Sequence, residues 1–262
     1  MKNVVFIPLL LCLFAMQSTN AQDYLGDYVE NYVGFKAGIS IPNLTPGGSE
    51  KNPINTGYSS IVGPDFAVFF EKGISSGFSL STQLEYIAQG AKKDGFQALP
   101  APADLPFFPP GQTPTYLYAD FNAKAEINYL MLSELAKFSF SLGSESPFSL
   151  YADAGPFGAF LLSAHQVTSG SSIIYADQQK QQPLPLVPPE QSFDRNTDIK
   201  DQLHKGNFGI AGDIGIAFNF TYSKIFLEGG GNYGLVAIQK GDANGKNHIG
   251  AATVRIGYAY GF

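Results

Sequence analysis

The carboxyl-terminal segment AATVRIGYAYGF, residues 251–262, alternates without a break and stops on an aromatic residue. Val254, Ile256, Tyr258, Tyr260 and Phe262 fall on one side. Thr253, Arg255, Gly257, Ala259 and Gly261 fall on the other, because successive side chains of a strand take opposite faces. One face is apolar and aromatic and the other is small or charged, so the strand must separate two different media.

The same period of two recurs and gives eight candidate strands. Tyr32 to Ser40 sets Val33, Phe35, Ala37 and Ile39 against Lys36 and small residues, and Asp65 to Glu71 sets Phe66, Val68 and Phe70 against two acids. Phe78 to Gln89 places Leu80, Leu84 and Tyr86 opposite Ser79, Ser81, Gln83 and Glu85. In the fourth strand Phe121, Ala123, Ala125, Ile127, Tyr129 and Met131 oppose Asn122, Lys124, Glu126 and Asn128. Its parity then slips between Leu130 and Leu135 before Phe138, Phe140 and Leu142 resume, which predicts a bulge. Phe148 to Phe160 carries Asp153, and its Gly155-Pro156 predicts a pairing irregularity. Phe208 to Phe220 faces Ile210, Ile214 and Ile216 away from Asp213; Lys224 to Ile238 contains Gly229-Gly230-Gly231; the eighth strand closes the chain.

Connections are long after the first, third and fifth strands and short after the second, fourth and sixth. An even strand count with this asymmetry is the signature of an antiparallel up-and-down transmembrane β-barrel with short periplasmic turns and long extracellular loops. Both termini are then periplasmic, and the barrel domain occupies residues 32–262. The Pro- and Gln-rich stretches Pro100 to Pro114 and Gln178 to Pro189 bury little and are expected to be mobile or partly disordered.

The start of the chain agrees. Lys2, an apolar run from Val4 to Met16 and small residues up to Ala21 read as a cleaved signal peptide over residues 1–21, too short for a membrane-spanning helix. Residues 22–31 form a polar lead-in. Cys12 lies within the signal, so the mature chain has no cysteine and no disulfides. Charged residues make up 15% of the chain against about 25% in soluble domains, which suits a wall with one face in lipid. The net charge of -6 excludes a basic footprint for nucleic acid.

Period two alone also fits a soluble lipocalin-like barrel of opposite sense. The polar faces, however, are mostly Gly, Ser, Ala and Asn, and Tyr and Phe recur near strand ends as in an interfacial girdle, which favours lipid outside. Lys36, Lys124 and Arg255 then face inward with Asp65, Glu71, Glu85, Glu126, Asp153, Asp213 and Glu228. An eight-stranded interior is just wide enough for side chains to fill, so these groups are expected to form an ionic plug; ordered water, a cation or protonated carboxylates are the alternative reading of the excess of acids.

Several segments resemble the PorT-like outer-membrane β-barrel family common in Bacteroidetes: VGFKAGISIPNL at 33–44, LSTQLEYIAQGAK at 80–92, INYLMLSELAKF at 127–138, YADAGPFGAFLL at 151–162, NFGIAGDIGIAF at 207–218 and GNYGLVAI at 231–238. Ser133 stands where that family usually has proline. The resemblance implies an integral outer-membrane protein in contact with its lipid, sometimes linked to secretion or envelope assembly through protein partners, with no catalytic residues and no cofactor. The terminal strand is similar to those that barrel-assembly machinery reads, which makes Tyr258, Tyr260 and Phe262 an expected assembly signal.

His165, His204 and His248 fall in or beside the long connections and define no triad, and no spacing resembles a zinc site. Asp194, Asp198 and Asp201 could bind calcium, but a solvated loop is the simpler expectation. The chain therefore reads as noncatalytic, a scaffold for loop-mediated binding or a part of secretion or envelope assembly. A small-solute channel and a lipid-modifying enzyme are the alternatives.

Overall fold

In the computed structural model the described residues are 31–46, 52–102, 105–109, 111–143, 146–241 and 246–262. The expected signal peptide and nearly all of the expected lead-in lie outside them. Eight long strands form the wall: β1 Asn31–Pro46, β2 Gly63–Ser75, β3 Phe78–Pro100, β4 Tyr116–Ser141, β5 Phe148–Ser169, β6 Gly206–Asn219, β7 Ser223–Gly234 and β8 Asn247–Gly261. Each pairs antiparallel with its sequence neighbour. Pairing of β1 with β8 from Tyr32↔Gly261 to Pro46↔Asn247 closes the ring and leaves no free sheet edge in the wall.

One end of the barrel carries tight turns. Ser76-Gly77 joins β2 to β3, with Gly77 at φ +79°, a conformation that suits glycine. Phe220 to Tyr222 joins β6 to β7, closed by the N–H of Phe220 donating to Ser223 O at 2.7 Å. Asn31 and Phe262 exchange backbone hydrogen bonds at this same end. All four connections at the opposite end are long.

The facing follows the sequence in seven strands. Val33, Phe35, Phe66, Val68, Leu84, Leu150, Phe208, Ile210, Ile214, Leu227, Val254 and Ile256 are exposed on the outer surface. Near the turn end the outward rings form a belt, with Phe78–Phe138 at 4.9 Å, Phe148–Phe218 at 5.1 Å and Phe218–Phe220 at 5.0 Å. Tyr258, Tyr260 and Phe262 face outward at this same end. A continuous apolar surface of this extent does not stand in water, whereas a hydrocarbon layer bounded by interfacial aromatics accommodates it.

The fourth strand corrects the sequence reading. Ile127, Tyr129 and Met131 point inward and are buried, whereas Lys124 and Glu126 are exposed on the outer face and take no part in the interior cluster. The inward parity runs unbroken through Ser133, Leu135 and Lys137, so β4 has no bulge between Leu130 and Leu135. The register shift instead lies against β5, where Asn128↔Ser163 is followed by Tyr129↔Leu161 and Leu162 is the extra residue. The physical cause is length. A membrane-spanning strand needs about 9–11 residues, yet β4 has 26. Its loop-end half stands in water, where the outer face turns polar and the inner face turns apolar.

That extension also carries strand pairing up to the borders of the Pro- and Gln-rich stretches. Pairing of β3 with β4 continues to Pro100↔Tyr116. Within the β5–β6 connection Ser171–Ile173 pairs with Glu190–Ser192, and Arg195–Asp198 pairs with β5. Gln181, Gln182 and Gln179 donate backbone N–H groups to the Asp177 carboxylate, which holds its pKa below the usual value. The expected irregularity at Gly155-Pro156 is present: β4–β5 pairing lapses between Ser133↔Phe157 and Ala136↔Ala154, while Pro156 still lies opposite Ile210 of β6.

Candidate functional site: the barrel interior and its loop-end mouth

The interior is stratified. Closest to the turns, Glu71 of β2 accepts from Lys137 Nζ at 3.0 Å and Lys224 Nζ at 3.2 Å, and from Ser79 Oγ at 3.1 Å. Phe69, Tyr151 and Phe226 pack beside this group. The Lys137 ammonium sits 4.0 Å from the centre of the Tyr151 ring, a cation–π distance. Tyr151 is thus the link to the next layer, because its hydroxyl donates to Glu228 Oε2 at 2.7 Å.

Arg255 organises the central layer. Its guanidinium reaches Asp213 Oδ1 at 2.6 Å through Nη2 and Glu85 Oε2 at 3.0 Å through Nη1, with Asp65 3.6 Å from Nη1. Glu228 Oε1 lies 2.8 Å from Nε but off the direction of that N–H, so the contact is an ion pair without a hydrogen bond. Lys36 Nζ donates to the same Glu228 oxygen at 2.6 Å. Asp153 accepts the backbone N–H of Asp213 at 3.1 Å. A planar guanidinium suits this place because it offers five donors in a fixed fork.

Space for the cluster comes from glycines. A Cβ at Gly215 would lie 2.4 Å from Tyr151 Cζ, and one at Gly230 2.1 Å from Asp213 Oδ1. These residues leave room for the large side chains opposite them. The Gly229-Gly230-Gly231 run belongs to β7 without interrupting it.

Above the charges, Ile87, Ile127, Tyr129, Leu161 and Ile249 of the wall meet Leu203 and Ile238, which come from two connections. Those connections bind each other: His204 N–H donates to Ile238 O at 2.8 Å and Lys240 N–H to Gln202 O at 2.9 Å. Asn247 Nδ2 donates to Asn55 O at 3.0 Å and ties in the β1–β2 connection. Two interior cavities of about 10 Å³ each, lined in part by Asn232 and Met131, have room for one water apiece. Over the apolar lid the mouth opens into a cavity of about 420 Å³.

Eight of the ten interior residues expected from sequence are buried together: Lys36, Asp65, Glu71, Glu85, Asp153, Asp213, Glu228 and Arg255. Lys124 lies instead at the mouth, beside the larger cavity. Sequence reasoning missed Lys137 and Lys224. Lys224 shares the parity of Glu228 and Lys137 lies opposite Phe138 and Phe140, so both were legible on that ground. Among the described residues the buried charges are now Lys36, Lys137, Lys224 and Arg255 against six carboxyls.

Outside the plug, Asp194 and Asp198 accept backbone N–H groups from Gly170 and Lys200 as turn residues. His248 Nδ1 lies 3.1 Å from Gly234 O within the wall, and His165 belongs to β5, so the histidines do not converge. Among the described residues no three His, Cys, Asp or Glu side chains form a metal-binding group.

A closed ring of eight strands, greasy outside and ionic within, defines a small transmembrane β-barrel. The outer membrane protein beta-barrel domain family matches the chain over residues 20–239, so the protein belongs to that family and is an outer-membrane β-barrel. Solved structures similar to it include neisserial surface protein A, at 11% identity over 88% of this chain and 97% of that one with a TM-score of 0.41. OprG from Pseudomonas aeruginosa shows 10% identity over 89% and 96%, with a TM-score of 0.41. Ail, the attachment invasion locus protein of Yersinia pestis, shows 12% over 90% and 100%, with a TM-score of 0.37. Among curated proteins none matches the chain.

Proposed function

We propose that the protein is a noncatalytic, PorT-like scaffold that stands in outer-membrane lipid with its turns and termini in the periplasm and holds its long connections outside for a partner protein of the envelope or a secretion apparatus. The observation that carries this reading is the contrast between the two ends of the interior. The lumen is filled with paired charges and closed by Leu203 and Ile238, while β3, β4 and β5 run far past the length a bilayer requires. The projecting strands offer a surface beyond the bilayer, and the two interior cavities of about 10 Å³ each among the described residues argue against an aqueous channel. Such channels need about 16 strands.

Conductance across planar bilayers tests the plug. The mature protein is expected to give no steady current of open-pore size, and a stable ohmic current would favour the channel. Crosslinking in cells from single cysteines placed at Val187 and Phe107, both exposed on the long connections, is expected to capture one protein partner. Crosslinks to lipid alone would remove the scaffold reading.

The outward Tyr258, Tyr260 and Phe262 fit the role of an assembly signal. Deleting Phe262 is expected to slow insertion in cells while leaving the unfolding midpoint of refolded protein nearly unchanged. Equal losses in both assays would reduce the residue to a packing role.

A further inference from the structure

The 420 Å³ cavity at the mouth is built by every loop-end connection except the tip of the β3–β4 hairpin, together with the projecting strands. Its volume falls within the ~300–1,000 Å³ of small-molecule sites. Floor and walls are apolar, with Leu44, Leu99, Phe121, Ile199, Leu203 and Ile238 among them. The polar groups that line it are uncharged or cationic. Gln97, Gln166, Gln202, Gln239 and Tyr58 offer amides and a phenol, and Lys240 supplies positive charge, with no acid among the described lining residues; Lys124 borders the cavity from a strand position whose side chain is on the outer face.

The walls are fixed before any ligand arrives. Gln97 Nε2 donates to Phe121 O at 2.7 Å and Lys93 O at 2.9 Å, locking the projecting hairpin. Asn247 accepts from Gln239 Nε2 at 3.0 Å, and its own N–H donates back to Gln239 Oε1 at 2.7 Å. Lys240 Nζ donates to Asp201 O at 2.7 Å, which uses one of its three protons and leaves others for an anion. Burial raises the Tyr58 pKa, so its phenol stays a neutral donor.

We propose that this cavity binds a single-chain amphiphile with a carboxylate head, its hydrocarbon on the Ile127–Leu203–Ile238 floor and its charge toward Lys240. Apolar volume alone would admit any greasy molecule; the Lys240 ammonium, with no acid among the described lining residues, sets the sign of the head. The inference is separate from the scaffold reading, since a partner protein and a small amphiphile occupy different surfaces.

The test uses the mature chain folded in amphipol, so that detergent does not compete, and titrates decanoate, decanol, decyltrimethylammonium and decanoyl-lysophosphocholine by calorimetry. Decanoate is expected to bind saturably at one site, with decanol at least tenfold weaker and the ammonium weaker still. The Lys240→Gln variant, altered only at an exposed side chain, is expected to lose the preference of carboxylate over alcohol, whereas Lys124→Gln, on the outer face, is expected to keep it. Ala125→Trp fills the cavity and is expected to abolish binding of both, with heat-modifiable migration reporting that the variant is folded. Non-saturable uptake of decanoate by the wild type, or an unchanged carboxylate preference in Lys240→Gln, would overturn the proposal. Tighter binding of the lysophosphocholine than of decanoate would overturn it in favour of a phospholipid head.

Discussion

Arg255→Ala is expected to destabilise the folded barrel by about 3–5 kcal/mol, the usual cost of removing one partner from buried ion pairs. The guanidinium touches Asp213, Glu85 and Glu228 within 3.0 Å and stands 3.6 Å from Asp65. Without it, Lys36 alone remains to face those four carboxylates, all of them buried. Urea unfolding of protein refolded into vesicles measures the loss. Arg255→Lys should fall between wild type and alanine, because an ammonium is a point charge that cannot reproduce the fork. A loss below about 1 kcal/mol for alanine, the range of exposed pairs, would mean that the interior is wet and the charges are solvated.

The second large effect lies on the opposite face of the wall. Ile214, in the middle of β6 and 69% exposed, becomes a charge in hydrocarbon on substitution by lysine, at about 2–4 kcal/mol near the bilayer midplane. Phe208→Lys, six residues nearer the loop end on the same face, should cost about 0–1 kcal/mol, since the penalty fades toward the interface. From sequence, Gly215→Ser is the natural tolerant control on the inward face. The structure removes that option: a Cβ there meets the Tyr151 ring and would push its hydroxyl from Glu228. Equal effects of lysine at positions 208 and 214 would contradict the depth assigned to β6.

How far the sequence could be read depended on what each strand bordered. In β8, lipid lies on one side of Val254, Ile256 and Tyr258 and the ionic plug on the other, so apolar and polar residues alternate and the facing is legible. In β4 the media exchange places along the strand. Phe138 and Phe140 face lipid near the turns, but toward the mouth Lys124 and Glu126 face water while Ile127 and Tyr129 seal the interior. The alternation persists there with its sense inverted, and a rule that equates apolar with lipid reads the upper half backwards. One error displaced Lys124 and Glu126 into the lumen; Lys137, below the expected slip and opposite Phe138 and Phe140, was readable as inward.

The lid was not legible at all. Leu203 is a single apolar residue in a long connection, and Ile238 ends the apolar run Leu235-Val236-Ala237-Ile238 that reads as the end of the seventh strand, whereas that strand stops at Gly234. They matter because the two connections hydrogen-bond to each other over the mouth, a relation set by tertiary structure alone. The same holds for the cavity above, whose walls come from segments far apart in sequence.

The decisive measurement is a scan of nitroxide spin labels on single cysteines at Phe66, Leu84, Ile214, Val254 and Ile256, feasible because the only native cysteine is Cys12, in the expected signal peptide. In phospholipid vesicles the labels should collide readily with oxygen and rarely with a water-soluble nickel chelate, most markedly at Ile214. Free access of the nickel chelate to these positions would place the apolar face in water and contradict the barrel's orientation toward lipid.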